Sequence, residues 1–356
     1  MMKSAVIVTV YKRYNYVKQA LDSILTQTEL PDQIIIAADN PNNMQNIINT
    51  IKDDHRSAII KDRLTIVKAD YIKLGNSISE AIDRINDNID IVFFLDDDDI
   101  FERNKIEHIK KIFEKNDVVL IHNRQKYIDV NSKEITNSVS MSYELAQPNE
   151  EIIINKNNVL YLNNRYPLIG FNHSSMTIKR RVLDKYIDLI SDFELALDTV
   201  FYFISILEGN VLHIPNKLTY YRMGSGVSSY GNITDYNKFL ENEQKIICTQ
   251  NRFLKDFRRL YEVIYKCENC KKIIEVEILR KETCLYLLNN YFNCDYKAST
   301  SSYTSLLFKC IKYLFNNEIS LSEFITHMAK LNLPLIYGKK KSSELILKRR
   351  FKRILK

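Results

Sequence analysis

The stretch IVFFLDDDDIFERNKI, residues 91–106, places four consecutive aspartates, Asp96 to Asp99, directly after five apolar residues. An apolar run of this length, rich in β-branched and aromatic residues, predicts a buried strand. Adjacent carboxylates repel one another and raise one another's pKa, so gathering four of them costs folding free energy. The stretch therefore favours a site at the end of a strand, where a bound cation offsets the negative charge; a solvated acidic turn is the alternative.

Strand and helix patterns alternate along the chain before this stretch. The strand-like segments are continuous apolar runs: SAVIVTVY (4–11), QIIIAAD (33–39) and RLTIVKAD (63–70). This alternation predicts an α/β fold, a Rossmann-like, mostly parallel sheet flanked by helices on both faces. Ligands bind beyond the carboxyl ends of such strands, and Tyr11, Asp39, Asp70 and the aspartate run all fall there.

Long helical patterns replace the alternation past about residue 234, and positive charge concentrates at the C-terminus. We expect an α/β domain over 1–232, a helical domain over 233–338 and a basic amphipathic tail over 339–356. The tail carries nine Lys or Arg and one Glu, a net charge of +8, so the other 338 residues sum to −1 in a chain of net +7. A body this close to neutral argues against nucleic-acid binding, which requires a basic face.

The segment SELILKRRFKRILK (343–356) sets Leu347, Phe351, Ile354 and Leu355 at helical spacing among basic residues. Such a helix suits an anionic membrane surface. The alternative is that its apolar side packs on the helical domain.

The cysteines and the apolar segments bear on the compartment. All six cysteines lie between Cys248 and Cys310, and we expect reduced thiols rather than a disulfide framework. The CENC motif supplies at most half of a zinc site, because no second close pair follows it. Neither a signal-like N-terminus nor a stretch of about 20 apolar residues is present. We therefore expect a cytoplasmic protein, with the tail as a peripheral contact to the inner membrane face.

The chain has only seven glycines, and none forms a GxGxxG or GxxxxGK loop. A glycine-rich loop therefore does not cradle a phosphate in this protein. A divalent cation held by carboxylates is the remaining way to bind a diphosphate, and Mg²⁺ and Mn²⁺ prefer such oxygen ligands.

The text VIVTVYKRYNYVKQALDSILTQT followed by PDQIIIAAD and FFLDDDDIFERNKI resembles the family 2 glycosyltransferases, inverting enzymes with the GT-A fold. The resemblance spans roughly Ser4 to Ser229. It implies transfer of a sugar from a nucleotide-diphosphate donor, a UDP-sugar being favoured, with Mn²⁺ or Mg²⁺ as cofactor. The acceptor would be a hydroxyl group on a glycan, a lipid-linked molecule or a protein.

The resemblance also implies nucleotide-binding roles. Thr9 and Tyr11 match the end of strand one that meets the base, where Tyr11 offers a ring for stacking. Asp39 matches the acid that accepts the uracil N3–H, although the segment reads ADNP rather than the usual DDGS. Ser79, in LGNSISEAI, stands in for an asparagine that lines the ribose and diphosphate.

Within the acidic signature, Asp96 and Asp98 match the two acids of DxD. Side chains alternate along a strand, so these two share one side while Asp97 faces the other as a structural bystander. Asp98 is the expected metal ligand, and Asp96 contacts the ribose or the metal shell. Asp99 is either a second ligand or a turn former.

On the acceptor side, an inverting transfer needs one general base. Asp198 matches the aspartate of the family's "ED" pair, with Leu197 in place of the glutamate; alternatively Asp198 caps its helix and Glu194 is the base. Arg222 agrees with the following "YR" segment, and the glycines of 224–231 suggest a hinged loop. His173 contacts the sugar or is structural.

Two other functions fit the same residues. One is a sugar-nucleotide-binding relative without catalysis, suggested by the family positions that this chain lacks. The other is a metal-dependent nucleotidyltransferase, which also needs a nucleotide site and acidic residues.

Overall fold

The computed structural model describes residues 2–51, 59, 62–69, 73–224, 235–289, 291–294 and 297–354. The chain divides into two compact units, Met1–Ser225 and Gly226–Lys356. The expected α/β fold with a C-terminal helical addition is confirmed.

One mixed sheet of nine strands forms the centre of the first unit. Its strands are β1 (Ser4–Val10), β2 (Gln33–Ala38), β3 (Leu64–Lys68), β4 (Ile91–Asp96), β5 (Ile100–Phe101), β6 (Leu120–Ile128), β7 (Ile152–Ile154), β8 (Met176–Lys179) and β9 (Val211–Arg222). The order is β3-β2-β1-β4-β8-β6-β9-β5, with β7 also on β9. The β3-β2-β1-β4 and β6-β9 pairs are parallel, whereas β8 runs antiparallel to β4 and β6. Every residue of β1 and β2 is buried, as their continuous apolar runs predict.

Helices cover this sheet. They are α1 (Tyr14–Leu25), α2 (Pro41–Ile51), α3 (Leu74–Ile82), α4 (Lys105–Lys115), α5 (Ser138–Leu145), α6 (Val159–Arg165), α7 (Arg180–Lys185), α8 (Ile187–Asp192) and α9 (Leu197–Glu208). A short 3₁₀ turn at His173–Ser175 precedes β8. The text VLHIPNKLTYYRM, expected as a short β pair, is instead one long strand, β9. Its pairing with β6 skips the two residues between Ile214 and Lys217, because Pro215 has no N–H to donate to the neighbouring strand.

The second unit is helical: α10 (Tyr236–Val263), α11 (Glu268–Leu288), α12 (Tyr303–Phe315), α13 (Leu321–Tyr337) and α14 (Lys339–Ile354). One apolar cluster joins α10, α11 and α14, and another joins α11, α12 and α13. Because α11 contributes to both clusters, it is the central helix of this unit. No helix in the described ranges is long and apolar enough to cross a membrane.

The basic tail forms α14, and its apolar side packs within the helical unit. Leu347 is fully buried, and the Phe351 ring lies 5.2 Å from the rings of both Tyr236 and Phe239. Arg350 pairs with the buried carboxylate of Glu243 at 2.6 Å. The protein itself therefore covers the Leu347 and Phe351 part of the apolar stripe that also suited a membrane, whereas the side chains of Ile354 and Leu355 lie outside the described part of the chain.

The expectation of reduced cysteines is wrong for four of the six. Cys248 pairs with Cys294, and Cys267 pairs with Cys270, while Cys284 and Cys310 are free thiols. The first pair forms because the fold brings two Cα atoms 46 residues apart in sequence to within 5.4 Å. Because Cys267, Cys270 and Cys294 form disulfides, their sulfur atoms are not available as thiolate ligands for a zinc ion at the CENC motif.

Candidate active site

Strands β1 and β4 bring Thr9 beside Asp96, because these two residues are register partners at the carboxyl ends of their strands. The Thr9 hydroxyl donates to Asp96 Oδ1 at 2.8 Å, and His173 Nε2 lies 3.1 Å from the same oxygen. Burial alone would raise the pKa of Asp96, but the positive charges of His173 and Arg13 and the Thr9 hydrogen bond together outweigh it and lower that pKa to about 2. Asp96 is therefore an ionised carboxylate at neutral pH.

His173 is the cationic partner of Asp96. Burial disfavours its charged form, yet the negative charge of Asp96 raises the pKa of His173 to about 9. Asp198 and Asp99 add to the same effect. At neutral pH the site thus holds an imidazolium between a strand-end acid and the expected general base.

Arg13 is a second cation at the acid run, and the sequence reading did not single it out. Its guanidinium pairs with Asp97 Oδ1 at 2.7 Å and with Asp98 Oδ2. The chain reverses at Lys12, which adopts a φ of 61°, and the Arg13 N–H then donates to the Tyr11 carbonyl at 2.8 Å. This turn directs Arg13 back over the end of β4.

The four aspartates do not alternate as a strand would, because β4 ends at Asp96 and the next residues form a turn. Asp97 is not the bystander that alternation suggested: it is fully buried and accepts the Tyr11 N–H at 2.9 Å. Asp99 accepts from Asn172 Nδ2 at 3.0 Å and from the Arg222 N–H at 3.1 Å. These contacts match the turn-forming alternative for Asp99. Burial raises the pKa of Asp97 to about 8 and that of Asp99 to about 7.

Asp198 lies in the first turn of α9, where Ala196 is the N-cap residue. The capping alternative for Asp198 therefore does not hold. Its Oδ1 accepts the Thr199 N–H at 2.7 Å. Burial raises the pKa of Asp198, although the Thr199 hydrogen bond, the charge of His173 and the nearby Asn172 N–H oppose the rise. Glu194, the other candidate base, accepts the Leu74 N–H through its main-chain carbonyl at 3.2 Å.

Aromatic packing fixes α9 against β4. Phe94 stacks on Phe201 of α9 with ring centroids 4.6 Å apart and meets the His173 ring edge to face at 6.2 Å. Because side chains alternate on β4, Phe94 points to the same sheet face as Asp96. One buried ring thereby sets the spacing between the strand-end acid, the imidazolium and the helix that carries Asp198.

Two buried basic residues support the His173 turn from behind. The Lys105 ammonium donates to the Ser174 carbonyl at 2.6 Å and to Thr219 Oγ1 at 2.8 Å. His122 Nε2 lies 2.8 Å from the Phe171 carbonyl. Burial lowers the pKa of Lys105 well below its ordinary value and lowers that of His122 to about 4. These contacts fix the main chain on both sides of Asn172, which has a φ of 69°.

Arg222 is a buried support and not a residue that faces substrate. It is 1% exposed, and its Nε donates to the Asp98 carbonyl at 2.8 Å. Its terminal nitrogens donate to the Asp129 carbonyl, to Ser132 Oγ and to Gln19 Oε1. Arg222 therefore joins the end of β9 to the acidic turn and to α1.

Tyr11 and Asp39 lie at the open ends of β1 and β2. Tyr11 is 41% exposed, and the Lys12 ammonium lies 4.8 Å from its ring centroid. The Tyr14 hydroxyl donates to Asp39 Oδ1 at 2.5 Å. Asp39 keeps partial exposure, so an exposed ring and an acceptor lie at neighbouring strand ends.

Ser79 does not join this group. Its hydroxyl donates to the Gly75 carbonyl one turn earlier in α3, and the Ile187 carbonyl lies 3.3 Å away. The contact between α3 and α8 buries the side chain, which leaves no hydroxyl to present to a ribose or diphosphate.

The family model described as glycosyl transferase family 2 matches residues 5–187. The chain belongs to this family. An uncharacterized glycosyltransferase of Nostoc sp. (strain PCC 7120) is 22% identical over 259 residues, 72% of this chain and 76% of that protein. An uncharacterized glycosyltransferase of Rickettsia bellii is 30% identical over 143 residues, 39% of this chain and 19% of that protein.

Solved structures share the fold. The crystal structure of S. aureus TarS superposes with a TM-score of 0.55 at 13% identity, covering 96% of this chain and 55% of that one. A TarS 1–349 structure in complex with UDP-GlcNAc gives a TM-score of 0.52 at 14% identity, covering 96% and 89%. The chain thus spans just over half of the longer TarS chain. These likenesses confirm the GT-A fold of this family 2 glycosyltransferase.

Family 2 glycosyltransferases generally use a divalent metal ion. In the part of the chain that the structure describes, no three His, Cys, Asp or Glu side chains are grouped to hold an ion. Mg²⁺ and Mn²⁺ often take only one or two protein carboxylates, with phosphate and water completing the shell. Asp98 fits that requirement, but one of its oxygens bonds to Arg13, so an ion there competes with the guanidinium.

Some expected site features lie outside the described residues: Asp70, and the glycine-containing loop beyond Gly224. The residues that the sequence reading missed are Arg13, Lys105, His122 and Asn172. Only Arg13 had a local signal, because it follows β1 by three residues in the same block as Thr9 and Tyr11. The others contact the site through pairings distant in sequence.

Proposed function

We propose that this glycosyltransferase is a metal-dependent, inverting enzyme that moves a sugar from a nucleoside-diphosphate sugar to a hydroxyl acceptor. The observation that carries the proposal is the Asn172–His173 segment, which contacts Asp96 and Asp99 and lies near enough to Asp198 for the charge of His173 to oppose the rise in the pKa of Asp198. A donor held at the strand-end acids and an acceptor held at Asp198 would thereby meet over His173.

The donor nucleotide is assigned to the carboxyl ends of β1, β2 and β4. Tyr11 presents an exposed ring for the base, and Asp39 presents a carboxylate for a ring N–H such as uracil N3–H. Thr9 orients Asp96 toward the ribose side. A UDP-sugar is favoured because Asp39 matches the family's uracil acceptor and the similar TarS 1–349 was solved with UDP-GlcNAc.

Asp198 accepts the proton of the acceptor hydroxyl as the oxygen attacks the anomeric carbon. Attack from the face opposite the leaving diphosphate inverts the configuration at that carbon. A carboxylate whose pKa is raised by burial is a stronger base than an exposed aspartate, which suits this task. His173 keeps positive charge beside the reacting groups because its pKa is about 9.

Asp98 would hold a Mn²⁺ or Mg²⁺ ion together with the donor phosphates. The bound ion would offset the negative charge of the departing nucleoside diphosphate. Asp99, whose oxygens bond to Asn172 and Arg222, supports the turn that presents Asp98.

Nucleoside-diphosphate release from a panel of UDP-, GDP- and dTDP-sugars with Mn²⁺ tests the proposal. Wild-type protein should release UDP slowly by donor hydrolysis, and faster with an acceptor. Asp198→Asn should lower acceptor-dependent turnover at least about 100-fold while UDP still binds. Asp192→Asn, an exposed aspartate six residues earlier, is the matched control and should keep activity.

Three outcomes would contradict the proposal. Tight UDP binding without turnover of any donor would mark a non-catalytic sugar-nucleotide-binding protein. Release of pyrophosphate from a nucleotide would mark a nucleotidyltransferase. Full activity of Asp198→Asn would remove Asp198 as the base.

We assign this activity to residues 1–232, with a glycan, lipid-linked or protein hydroxyl as acceptor. We also propose a cytoplasmic enzyme in peripheral contact with the inner membrane face, which requires the Cys248–Cys294 and Cys267–Cys270 disulfides to persist in a reducing compartment. The net charge of +8 over 339–356 supports this location, because the cytoplasmic leaflet is anionic. Residues 233–338 link the catalytic part to that basic segment.

A further inference from the structure

The junction between α13 and α14, residues 335–341 (LIYGKKK), is exposed at every position. Leu335, Ile336 and Tyr337 end α13 with 63, 70 and 48% of their surface exposed. Lys339, Lys340 and Lys341 then begin α14. We call residues 335–341 the lysine corner.

The flanks of the lysine corner are anchored, so its shape is defined. Gly338 takes a φ of 72°, which favours glycine, and its N–H donates to the Pro334 carbonyl at 3.0 Å. Ser342 is buried, and its hydroxyl donates to the Gly338 carbonyl at 2.8 Å. The buried Ser343 hydroxyl lies 3.0 Å from the Leu287 carbonyl of α11. The apolar triplet and the three lysines therefore project from fixed points.

A cavity of about 480 Å³ adjoins the lysine corner. Its lining residues are Leu287, Tyr291, Lys339, Lys340 and Ser343. Among the described residues that line it are two lysines and no acidic residue, so its chemistry suits an anionic group such as a phosphate. The Lys339 ammonium lies 4.9 Å from the Tyr286 ring, which holds it at this side of α11.

We propose that the lysine corner docks on a bilayer containing anionic phospholipid, with a lipid phosphate in the cavity beside Lys339 and Lys340. Leu335, Ile336 and Tyr337 enter the boundary between headgroups and acyl chains. The inference rests on the membrane contact proposed above but not on sugar transfer. It assigns the membrane contact to the lysine corner rather than to the apolar side of α14, because that side already packs against other helices of the same unit.

Charge complementarity selects a lipid surface as the occupant. Exposed apolar residues occur elsewhere in this unit, for example Leu321 and Ile325 at 63 and 59% exposed, but the residues from 320 to 326 include no lysine. The lysine corner sets three exposed apolar residues directly beside three consecutive exposed lysines, a combination that matches both layers of an anionic interface.

Flotation of the full chain with vesicles tests the proposal, using phosphatidylcholine alone or mixed with phosphatidylglycerol. Wild-type protein should bind only the mixed vesicles. Leu335→Ser with Ile336→Ser should weaken binding at least about tenfold. Lys339→Gln with Lys340→Gln should weaken it by about 25-fold, at about fivefold for each lysine near the surface.

Matched controls lie in the same two helices. Leu321→Ser with Ile325→Ser removes a similar apolar exposure, and Lys348→Gln with Lys352→Gln removes two exposed lysines of α14. Both controls should stay within about threefold of wild type, because residual diffuse attraction is weak and screened by salt. All variants should keep the wild-type melting temperature and donor hydrolysis, since the substituted side chains are exposed. Ile336→Gln replaces the apolar pair if the double variant melts early.

Each contrary outcome removes a defined part of the reasoning. Absence of wild-type binding to mixed vesicles refutes the membrane contact as a whole. Equal losses from the two lysine pairs, or wild-type binding by the corner variants, refute the lysine corner. Release of bound protein by millimolar inorganic phosphate indicates a site for free phosphate instead of lipid. A dimer that becomes monomeric on substitution of Ile336 in sedimentation velocity indicates an interface with a second copy.

Discussion

Gly75 lies in the first turn of α3, against the main chain of the segment that leads into α9. A Cβ at this position would lie 2.0 Å from the carbonyl oxygen of Ile190 and 2.7 Å from that of Phe193. Ordinary contact begins at 3.4 Å, so Gly75→Ala requires the Ile190 carbonyl to recede by about 1.4 Å. Both obstacles belong to the main chain, and rotation of a side chain therefore cannot relieve the overlap.

The loss of stability follows from three contributions. Overpacking against a fixed backbone costs about 2–3 kcal/mol. Displacement also strains two hydrogen bonds, from the Leu74 N–H to Glu194 at 3.2 Å and from the Gly75 N–H to Phe193 at 3.0 Å, each worth about 1 kcal/mol. Alanine returns about 1 kcal/mol through its better helix propensity. The free energy of unfolding should fall by about 3 kcal/mol, a drop in melting temperature of about 6–12 °C for a unit of this size.

Catalysis should suffer more than nucleotide binding. The displaced segment leads to Asp198 within a few residues, and a misplacement of about 1 Å in a reacting group costs about 100-fold in rate. The contacts assigned to the nucleotide lie on β1, β2 and β4, so the affinity for UDP should change little. Thermal melting, nucleoside-diphosphate release and UDP titration measure the three quantities on one preparation.

Gly209→Ala is the control at the far end of α9. Gly209 has an extended φ of 169°, and its added Cβ would meet a Val119 methyl group at 2.8 Å, a contact with a side chain rather than with the main chain. This variant should lose less stability than Gly75→Ala and keep turnover, because the nearest obstacle is farther away and lies away from Asp198. Wild-type melting of Gly75→Ala would refute the packing of α3. An early melt with full turnover would refute the mechanical link from Gly75 to Asp198.

Three further outcomes follow from buried carboxylates. Turnover should fall as pH drops through the pKa of Asp198, and because burial raises that pKa above 3.8, kcat against pH should lose activity at a higher pH than an exposed aspartate would give. Glu282, buried among basic partners that lower its pKa despite burial, should stabilise the fold above about pH 4.5 and lose that contribution as pH falls through the lowered value. Urea unfolding should show Glu282→Gln costing about 2 kcal/mol at pH 7 and less in acid. Asp97→Ala removes the acceptor of the Tyr11 N–H and a partner of Arg13, so its melting point should fall by several degrees, whereas Asp97→Asn should lose less.

The strands were predictable because their signal is local. Continuous apolar runs marked β1, β2 and β4 to within a few residues, and the rule for strand ends placed Tyr11, Asp39 and Asp96 at the same edge of the sheet. That edge is fixed by strand direction alone, so no side-chain contact had to be known.

The balance of charge at the site was not predictable. The alternation of side chains predicted for Asp97 to Asp99 was wrong because β4 ends at Asp96. No local pattern in LDDDDI reveals where the strand ends. Lys105 is one lysine among several in an amphipathic helix, and only tertiary packing buries it beneath Ser174. Asn172 reads as an ordinary loop residue, yet it bonds to Asp99 across 73 positions of sequence.

The same limit applied to α14. A basic helix with an apolar stripe is compatible with a lipid surface or with a protein core, since both bury apolar area with similar free energy per unit surface. No feature of the sequence of α14 distinguishes packing on a lipid surface from packing in a protein core. The contacts of Leu347 and Phe351 decide for the protein core, and so move any lipid contact to residues that stay exposed.

The cations around the acid run bear on how metal and donor bind together. Arg13 and His173 already pair with three of the four aspartates, Asp98 included, so a divalent ion gains little at Asp98 before a nucleotide arrives. A bound diphosphate adds negative charge beside the same oxygens and makes the ion favourable. Mn²⁺ and UDP should therefore bind cooperatively, each tightening the other by the same factor, about tenfold or more.

Calorimetry of Mn²⁺ binding with and without UDP measures this coupling directly. Arg13→Gln removes the competing guanidinium, so it should strengthen Mn²⁺ binding in the absence of UDP and shrink the coupling. Lys12→Gln is the control, because this neighbouring cation contacts the Tyr11 ring rather than a carboxylate. Equal Mn²⁺ affinity in wild type and Arg13→Gln would show that the ion binds away from Asp98. In that case the acid run would serve the fold and the ribose, and the metal ligand would have to be sought elsewhere in the site.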